Sequence, residues 1–340
     1  MAMPAVAPVV DPHEIRELPV LVLLAHNRCN CHCVMCDIWR IKQTREITTT
    51  DLAPHLDAMR ALGVRHVALS GGEPQMHSDL SSLLTLLRAE GIRITLLTAG
   101  LLLESGAETI ALAVDDVIIS LDGPPEIHDQ IRRVPKAFET IQRGIERLRY
   151  LRPELPVSVR STVQKQNFGF LAQTVEAARS LGVDSISFLA ADMTSEAFNR
   201  PNGWEPSRQE KIALSVMDIG LLHEEIERLI IDCKDEIAKR FILESPEKLR
   251  RIVPHFRAQL GLAEPSAPMC NAPWVSAVVE ADGSVRPCFF HPAVGNMHDN
   301  GLLQILNGPQ ALEFRRNLDV ESNSTCRRCV CSLHLPRNRD

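Results

Sequence analysis

The sequence predicts an α/β fold: six βα units, then a helical insertion, then a small C-terminal α+β module. Three observations carry this. Short apolar runs alternate with helical stretches from Leu18 to Leu189, and such alternation argues for parallel strands joined by crossover helices. The alternation stops at Asp192, and a largely helical stretch runs on to Ala267. The ten cysteines fall mostly into two groups, one directly after the first apolar run and one from Cys270 onward. The expected boundaries are a flexible arm over 1–17, the βα domain over 18–191, the insertion over 192–267 and the module over 268–340. Parallel crossovers are right-handed, so the units wind one way. Periodicity alone leaves a partial barrel and an open doubly wound sheet both standing.

In chain order, Leu18 to Ala25 reads as the first strand. Thr50 to Leu62 is a helix ending at Gly63, and Val64 to Leu69 is the second strand. Ser78 is placed to cap a helix over Asp79 to Glu90 that stops at Gly91. Ile92 to Leu97 is the third strand, followed by a helix near Leu102 to Ala113. Val117 to Leu121 is the fourth strand, with a helix over Lys136 to Leu151. Pro156 to Val163 is the fifth, with a helix over Phe168 to Leu181, and Ser185 to Leu189 is the sixth. In the insertion, Asn199 to Pro206 reads as a linker and Ser207 to Lys239 as helical, with Gly220 a possible break. Ser245-Pro246 opens a further helix to Leu260. In the module, Asp282-Gly283 between apolar runs marks a hairpin starting from the strand Val275 to Glu280.

Composition narrows the function. The chain has 340 residues, 24% charged, with net charge −6 and no basic block, which argues against nucleic acid as a partner. No apolar run approaches the roughly 18 residues a membrane span needs. Met1 to Asp11 lacks a basic leader, so no secretory signal is expected. Clustered cysteines without such a signal point to metal or cluster binding in the reducing cytoplasm rather than to disulfides.

The chemistry starts at Cys29-Asn30-Cys31-His32-Cys33-Val34-Met35-Cys36, where Cys29, Cys33 and Cys36 have the spacing C-x3-C-x2-C. Iron–sulfur clusters take thiolates, normally one per iron, so three on a four-iron cluster leave one iron open to a substrate. Zinc held by three cysteines and His32 is the alternative, although structural zinc sites usually draw all their ligands in C-x2-C pairs and only Cys33 and Cys36 are so spaced here. Cys31 reads as a spare. Gly71-Gly72-Glu73-Pro74 follows the second strand, and paired glycines let backbone approach a ligand closely. Ser120 and Asp122 end the fourth strand, and each can hydrogen-bond a hydroxyl. In barrels, active sites form at the C-terminal ends of strands, where all these groups fall. Further on, Cys270 and Cys288 bracket the hairpin, and Cys326-Arg327-Arg328-Cys329-Val330-Cys331 supplies a distant C-x2-C. Together they can form one four-thiolate cage, with a zinc ribbon as the alternative. His26 and His66 read as packed or solvated side chains rather than catalytic ones, and Cys233 in the insertion as a small core residue or a hydrogen-atom donor.

The C-x3-C-x2-C loop with Gly71-Gly72-Glu73-Pro74 resembles the radical S-adenosylmethionine (radical SAM) family. The resemblance implies a partial (β/α)6 barrel. It implies a [4Fe–4S] cluster on Cys29, Cys33 and Cys36 whose open iron is chelated by SAM. It also implies homolysis of SAM to a 5′-deoxyadenosyl radical. Gly71, Gly72 and Glu73 would receive the SAM amino group, Ser120 and Asp122 its ribose and carboxylate, and Arg132 its carboxylate, with Arg160 a weaker candidate. One departure is Met35 where the family usually has an aromatic residue; Trp39 stands three residues beyond Cys36. The C-terminal module resembles twitch and SPASM modules. It is closer to twitch, because the five cysteines here are too few for a two-cluster SPASM module. The implied ligands of an auxiliary [4Fe–4S] cluster are Cys270, Cys288, Cys326 and Cys329, with Cys331 a spare, an alternative ligand or a catalytic thiol. No catalytic residue is assigned.

The resemblance implies hydrogen-atom abstraction from an unactivated C–H bond, with the auxiliary cluster accepting an electron. By likeness to a twitch dehydrogenase of an aminocyclitol, the first expectation is oxidation of a sugar-like or cyclitol small molecule. Peptide crosslinking or epimerisation is second, and redox-neutral decarboxylation or epimerisation of a sugar acid or nucleoside is third. Peptide maturases often carry an N-terminal recognition domain, and the short stretch before the first strand favours a small-molecule substrate. An external electron donor such as flavodoxin or ferredoxin is the implied partner.

Overall fold

The computed structural model describes residues 11–336. Six parallel strands form in chain order: β1 (Val20–His26), β2 (His66–Gly71), β3 (Arg93–Thr98), β4 (Asp116–Ser120), β5 (Val157–Val163) and β6 (Ser185–Ala190). The connecting helices Leu80–Ala89, Leu103–Ala113, Ala137–Leu151 and Leu171–Ser180 return the chain for the next parallel strand. Burial alternates along β1, β2, β4 and β5, with every second side chain fully covered. One face packs against the helices and the other stays partly open, unlike a doubly wound sheet covered on both sides. The sheet does not close, so the architecture is a partial barrel.

The C-terminal module is not a separate layer. β7 (Ser276–Val279) pairs in parallel with β1, and β8 (Ser284–Arg286) and β9 (Gly295–Asn296) continue antiparallel, giving one nine-stranded sheet. The physical reason lies in β7, whose four residues are all buried. A short hairpin cannot cover both faces of such a strand alone.

Several local expectations change. The helix expected over Thr50 to Leu62 is broken into Thr49–Leu52, a 3₁₀ turn Ala53–His55 and Leu56–Ala61, because Pro54 lacks an N–H to donate within a helix. Asp79, not Ser78, caps the next helix by accepting from the Ser82 N–H, while Ser78 bonds Glu46. A helix at Pro125–Arg132 was not expected. Gly220 breaks nothing: the helix Val216–Asp232 runs through it, secured by a Ser215/Asp218 capping box, with open space around the glycine.

Of the arm expected over 1–17, residues 1–10 lie outside the described residues. The part from Asp11 onward is docked rather than loose. Ile15 is buried, its N–H donates to Asn307 Oδ1 at 2.8 Å, and its carbonyl accepts from Asn307 Nδ2 at 2.8 Å. Arg315 and Arg316 of the C-terminal module bond His13 and Asp11.

Candidate functional site

The cysteine loop lies across the C-terminal end of β1 and is tied down from two directions. The N–H groups of Gly72 and Glu73 donate to the carbonyls of His26 and Arg28, each at 2.8 Å. The N–H groups of His32 and Val34 donate to Arg132 and Ile131 at 3.1 and 3.0 Å. The glycine pair serves this loop. A Cβ on Gly71 would sit 2.2 Å from the His26 oxygen, at a φ of +142° that other residues rarely adopt. A Cβ on Gly72 would sit 2.2 Å from the Arg28 oxygen. Sequence reading gave these glycines to a ligand; their packing shows that the cysteine loop itself requires them.

Cys31 and Cys33 are buried against Ala99, with Cys29, Met35 and Cys36 packed around them. Hydrogen bonding to the sulfurs of Cys29 and Cys33, with burial, pushes the Cys31 thiol well up. The Cys31 bond and the Arg132 guanidinium draw the Cys33 thiol down to about 6 against the cost of burial. Burial pushes Cys36 up to about 12. Arg132 Nη1 donates to Cys33 Sγ at 3.4 Å, and its Nη2 pairs with Asp122 at 2.6 Å. Asp122 is fully buried; its Oδ1 accepts from the Thr162 N–H at 2.8 Å, and its own N–H donates to His128 Nδ1 at 3.1 Å. Carboxylate, guanidinium and thiol thus form one buried line from β4 to the middle cysteine.

The other expected contacts converge on the same ends of the strands. Glu73 is fully buried, accepting from Thr98 Oγ1 at 2.8 Å, the Ala99 N–H at 2.8 Å and the Gln75 N–H at 3.1 Å. Burial pushes its pKa up while these donors oppose the shift. Ser120 sits half-buried at the end of β4, in register with Arg160 on β5, whose Nε donates to Ser187. Trp39 packs on His32 and donates to the Cys36 carbonyl at 2.8 Å. His26 is buried at the end of β1, whereas His66 starts β2 at the opposite end of the sheet and bonds Thr95 at 2.8 Å.

Residues 198–208, the stretch read as a linker with one residue before it and two after it, form a strap over the third cysteine. Arg200 is 2% exposed, and its guanidinium donates to the Met35 carbonyl at 2.6 Å and to Asp192 at 2.9 Å. It stacks 3.8 Å from the Trp204 ring centroid. Trp204 Nε1 donates to Asp37 at 2.5 Å, and Arg208 to the Val34 carbonyl at 2.9 Å. Sequence reasoning weighed the Pro, Gly and Asn of this segment. The missed signal was Arg200 and Trp204 inside the apparent linker with Arg208 just beyond it, one Trp and two Arg within nine residues.

Cys270, Cys288, Cys326 and Cys329 line one small cavity with Phe290 and His291. Asn323 caps the turn Ser324–Arg327 and so orients Cys326. Burial first, and then the neighbouring thiols, push Cys288 to about 12 and Cys326 to about 11. Cys331 is exposed, with its sulfur 3.8 Å from that of Cys329. Among the described residues, no three His, Cys, Asp or Glu side chains are gathered around a single point. A multi-iron cluster takes each thiolate on a separate iron, and both donor sets are all-sulfur, so their chemistry fits. The two sites are joined by rings: Phe198 of the strap lies 5.0 Å from Phe289, directly after Cys288, and its carbonyl accepts from the Asp37 N–H, directly after Cys36.

The family model of the Radical SAM superfamily matches residues 23–167, and that of the SPASM iron-sulfur cluster-binding domain matches residues 270–330. The chain belongs to the radical SAM superfamily. Its cofactors are SAM and two [4Fe–4S] clusters. An AdoMet-dependent heme synthase of Methanosarcina barkeri is 35% identical over 162 residues, 45% of this chain and 45% of that protein. The PqqA peptide cyclase of Ruegeria pomeroyi is 26% identical over 92% of this chain and 79% of its own length. The chain spans about half or less of the length of the first curated relatives it matches. Streptococcus suis SuiB bound to precursor peptide SuiA shares the fold, with a TM-score of 0.63, 16% identity and coverage of 94% of this chain and 73% of that one. anSMEcpe with bound AdoMet does likewise, at 0.64, 20%, 92% and 86%. Among the described residues, no helix is long and apolar enough to cross a membrane.

Proposed function

We propose that this radical SAM enzyme carries out a net two-electron oxidation of its substrate. A hydrogen atom leaves an unactivated C–H bond, and an electron and a proton follow. When bound, SAM and the first cluster supply the 5′-deoxyadenosyl radical, and the second cluster supplies an electron acceptor. Cys29, Cys33 and Cys36 would hold the first cluster, and Cys270, Cys288, Cys326 and Cys329 the second. Gly71 and Gly72 hold the cysteine loop at the end of β1, and the buried Asp122–Arg132 pair presents a positive group to Cys33. The observation that carries the reading is the contact of one strap residue, Phe198, with the segments after Cys36 and Cys288. It supports a reading in which the two clusters would serve one substrate, the first as oxidising centre and the second as electron sink. An external reductant such as flavodoxin or ferredoxin would feed the first cluster.

A sugar-like or cyclitol alcohol remains the first substrate class. A peptide side chain is the second, supported by the likeness to a peptide cyclase over 92% of this chain. The test is anaerobic reconstitution and reduction, then incubation with SAM and either deuterated aminocyclitol or a deuterated candidate peptide. Deuterium recovered in 5′-deoxyadenosine identifies the substrate. A product of unchanged oxidation level would sink the oxidative reading in favour of redox-neutral decarboxylation or epimerisation.

A further inference from the structure

The mechanism above leaves a cavity of about 460 Å³ unused. It lies at the free edge of the partial barrel. The segment around Phe241 to Glu244 covers β6 as far as Phe188, through Ile186 N–H to the Phe241 carbonyl at 2.7 Å and Phe188 N–H to Glu244 at 2.9 Å. Beyond that, Leu189 and Ala190 form one wall of the cavity. Trp204 of the strap forms another, and the stretch from Arg327 to Ser332, which carries Cys329, closes it. The cavity therefore reaches both the strap over the first cysteine loop and the wall of the second cage.

Its charge runs against the rest of the molecule. The chain is net −6, yet Lys248, Arg251, Arg327 and Arg328 line this cavity against a single carboxylate, Glu264. Glu264 is paired with Arg327 at 3.0 Å. Lys248 reaches Glu244 only at 3.5 Å, and Arg251 and Arg328 form no ion pair among the described residues. Asp192, which shares a smaller adjoining cavity with Arg328, is already engaged by Arg200. On the same wall, Gln259 Nε2 lies 2.8 Å from His255, and Gln259 Oε1 is buried with no partner. A buried acceptor left open is costly unless a ligand supplies the donor. Guanidinium groups without partners select oxyacid anions through paired N–H donors.

We infer that this cavity is the substrate subsite and that it takes an anionic group, a carboxylate or a phosphate, on Arg251 and Arg328. An adjacent N–H or O–H of the ligand would be received by Gln259. The inference rests on the proposed function for calling the ligand a substrate, but its test does not use turnover. Reconstituted full-length protein is titrated against fluorescein-labelled hexaglutamate by anisotropy, with labelled hexalysine as the opposite-charge control. Saturable binding of hexaglutamate alone is expected. Arg251→Gln with Arg328→Gln should weaken it about tenfold, roughly the loss of two exposed charge contacts. Arg147→Gln, on a distant helix, should leave it unchanged. Gln259→Leu should weaken binding with circular dichroism and iron content unaltered. Displacement by citrate or by inorganic phosphate assigns the anion to a small carboxylate or a phosphate, and displacement by neither assigns it to an acidic peptide. No saturable binding, or binding indifferent to the double substitution in a folded, iron-loaded protein, overturns the inference. Either result leaves the deuterium-transfer experiment free to succeed or fail by itself.

Discussion

Asp122 and Arg132 show how strongly one buried charge depends on another. Arg132 is 8% exposed and points at a thiol, so its guanidinium has given up most of its water. Removing one partner of a buried pair typically costs about 3–5 kcal/mol, because the other is left uncompensated. Asp122→Asn should therefore destabilise the chain by about that amount in anaerobic urea denaturation. Arg132→Leu with Asp122→Leu should cost less than either single change. His128 adds a pH dependence. Burial, with Arg132 nearby, holds its imidazole well below the usual range and so neutral in the folded state. Once the pH falls below about 6.5, the unfolded chain binds a proton that the folded one does not, so stability is lost as pH falls. The urea midpoint should drop between about pH 7 and pH 5, and drop less in His128→Gln. The sequence displayed these residues as motif positions. It did not display that Asp122 faces Arg132 rather than solvent, because the partners are brought together by the return of the chain from β4.

At the scale of elements, the strap is the piece most exposed to test. Its contacts with the cysteine loop are a few directional bonds from Arg200, Trp204 and Arg208. Arg200→Ala removes the donors to Met35 and Asp192 and takes from Trp204 the nearer of its two stacked cations, leaving Arg208. The strap should then become cleavable by trypsin at Arg208 and Lys211 while the barrel resists. The electron paramagnetic resonance signal of the reduced, SAM-bound first cluster should broaden, a change that loss of packing elsewhere would not cause. Arg200→Lys should restore part of the protection, since one ammonium replaces one of the two arms of the fork. The βα elements were legible because each strand and helix carries its own period and its own terminators. The strap was not, because it has neither period nor apolar run and is ordered by what it touches.

At the scale of the whole molecule, the C-terminal module and the barrel share one sheet. Because β7 pairs with β1 and Asn307 holds Ile15 at both N–H and carbonyl, removing residues 268–340 exposes the β1 edge and frees the entry segment. That truncation should aggregate or lose cooperative unfolding in circular dichroism; a soluble, cooperatively folding barrel would contradict the shared sheet as a structural necessity. Cys288→Ala is the milder change. It should lower iron from about eight to about four per chain while leaving SAM cleavage to 5′-deoxyadenosine measurable but uncoupled from substrate.

The amino-acid sequence by itself declares the cofactor chemistry and the βα order. Both are written locally: cysteines four and three positions apart within one loop, a glycine pair directly after the second strand, and apolar periods ended by turn residues. Tertiary structure alone decided that the glycine pair admits the cysteine loop, that Asp122 and Arg132 neutralise each other beneath Cys33, and that an apparent linker clamps one cysteine loop and touches the other. It also decided that the last strands extend the first sheet. These depend on groups remote in sequence meeting at the ends of parallel strands, where burial forces each charge and each open hydrogen bond to find a partner.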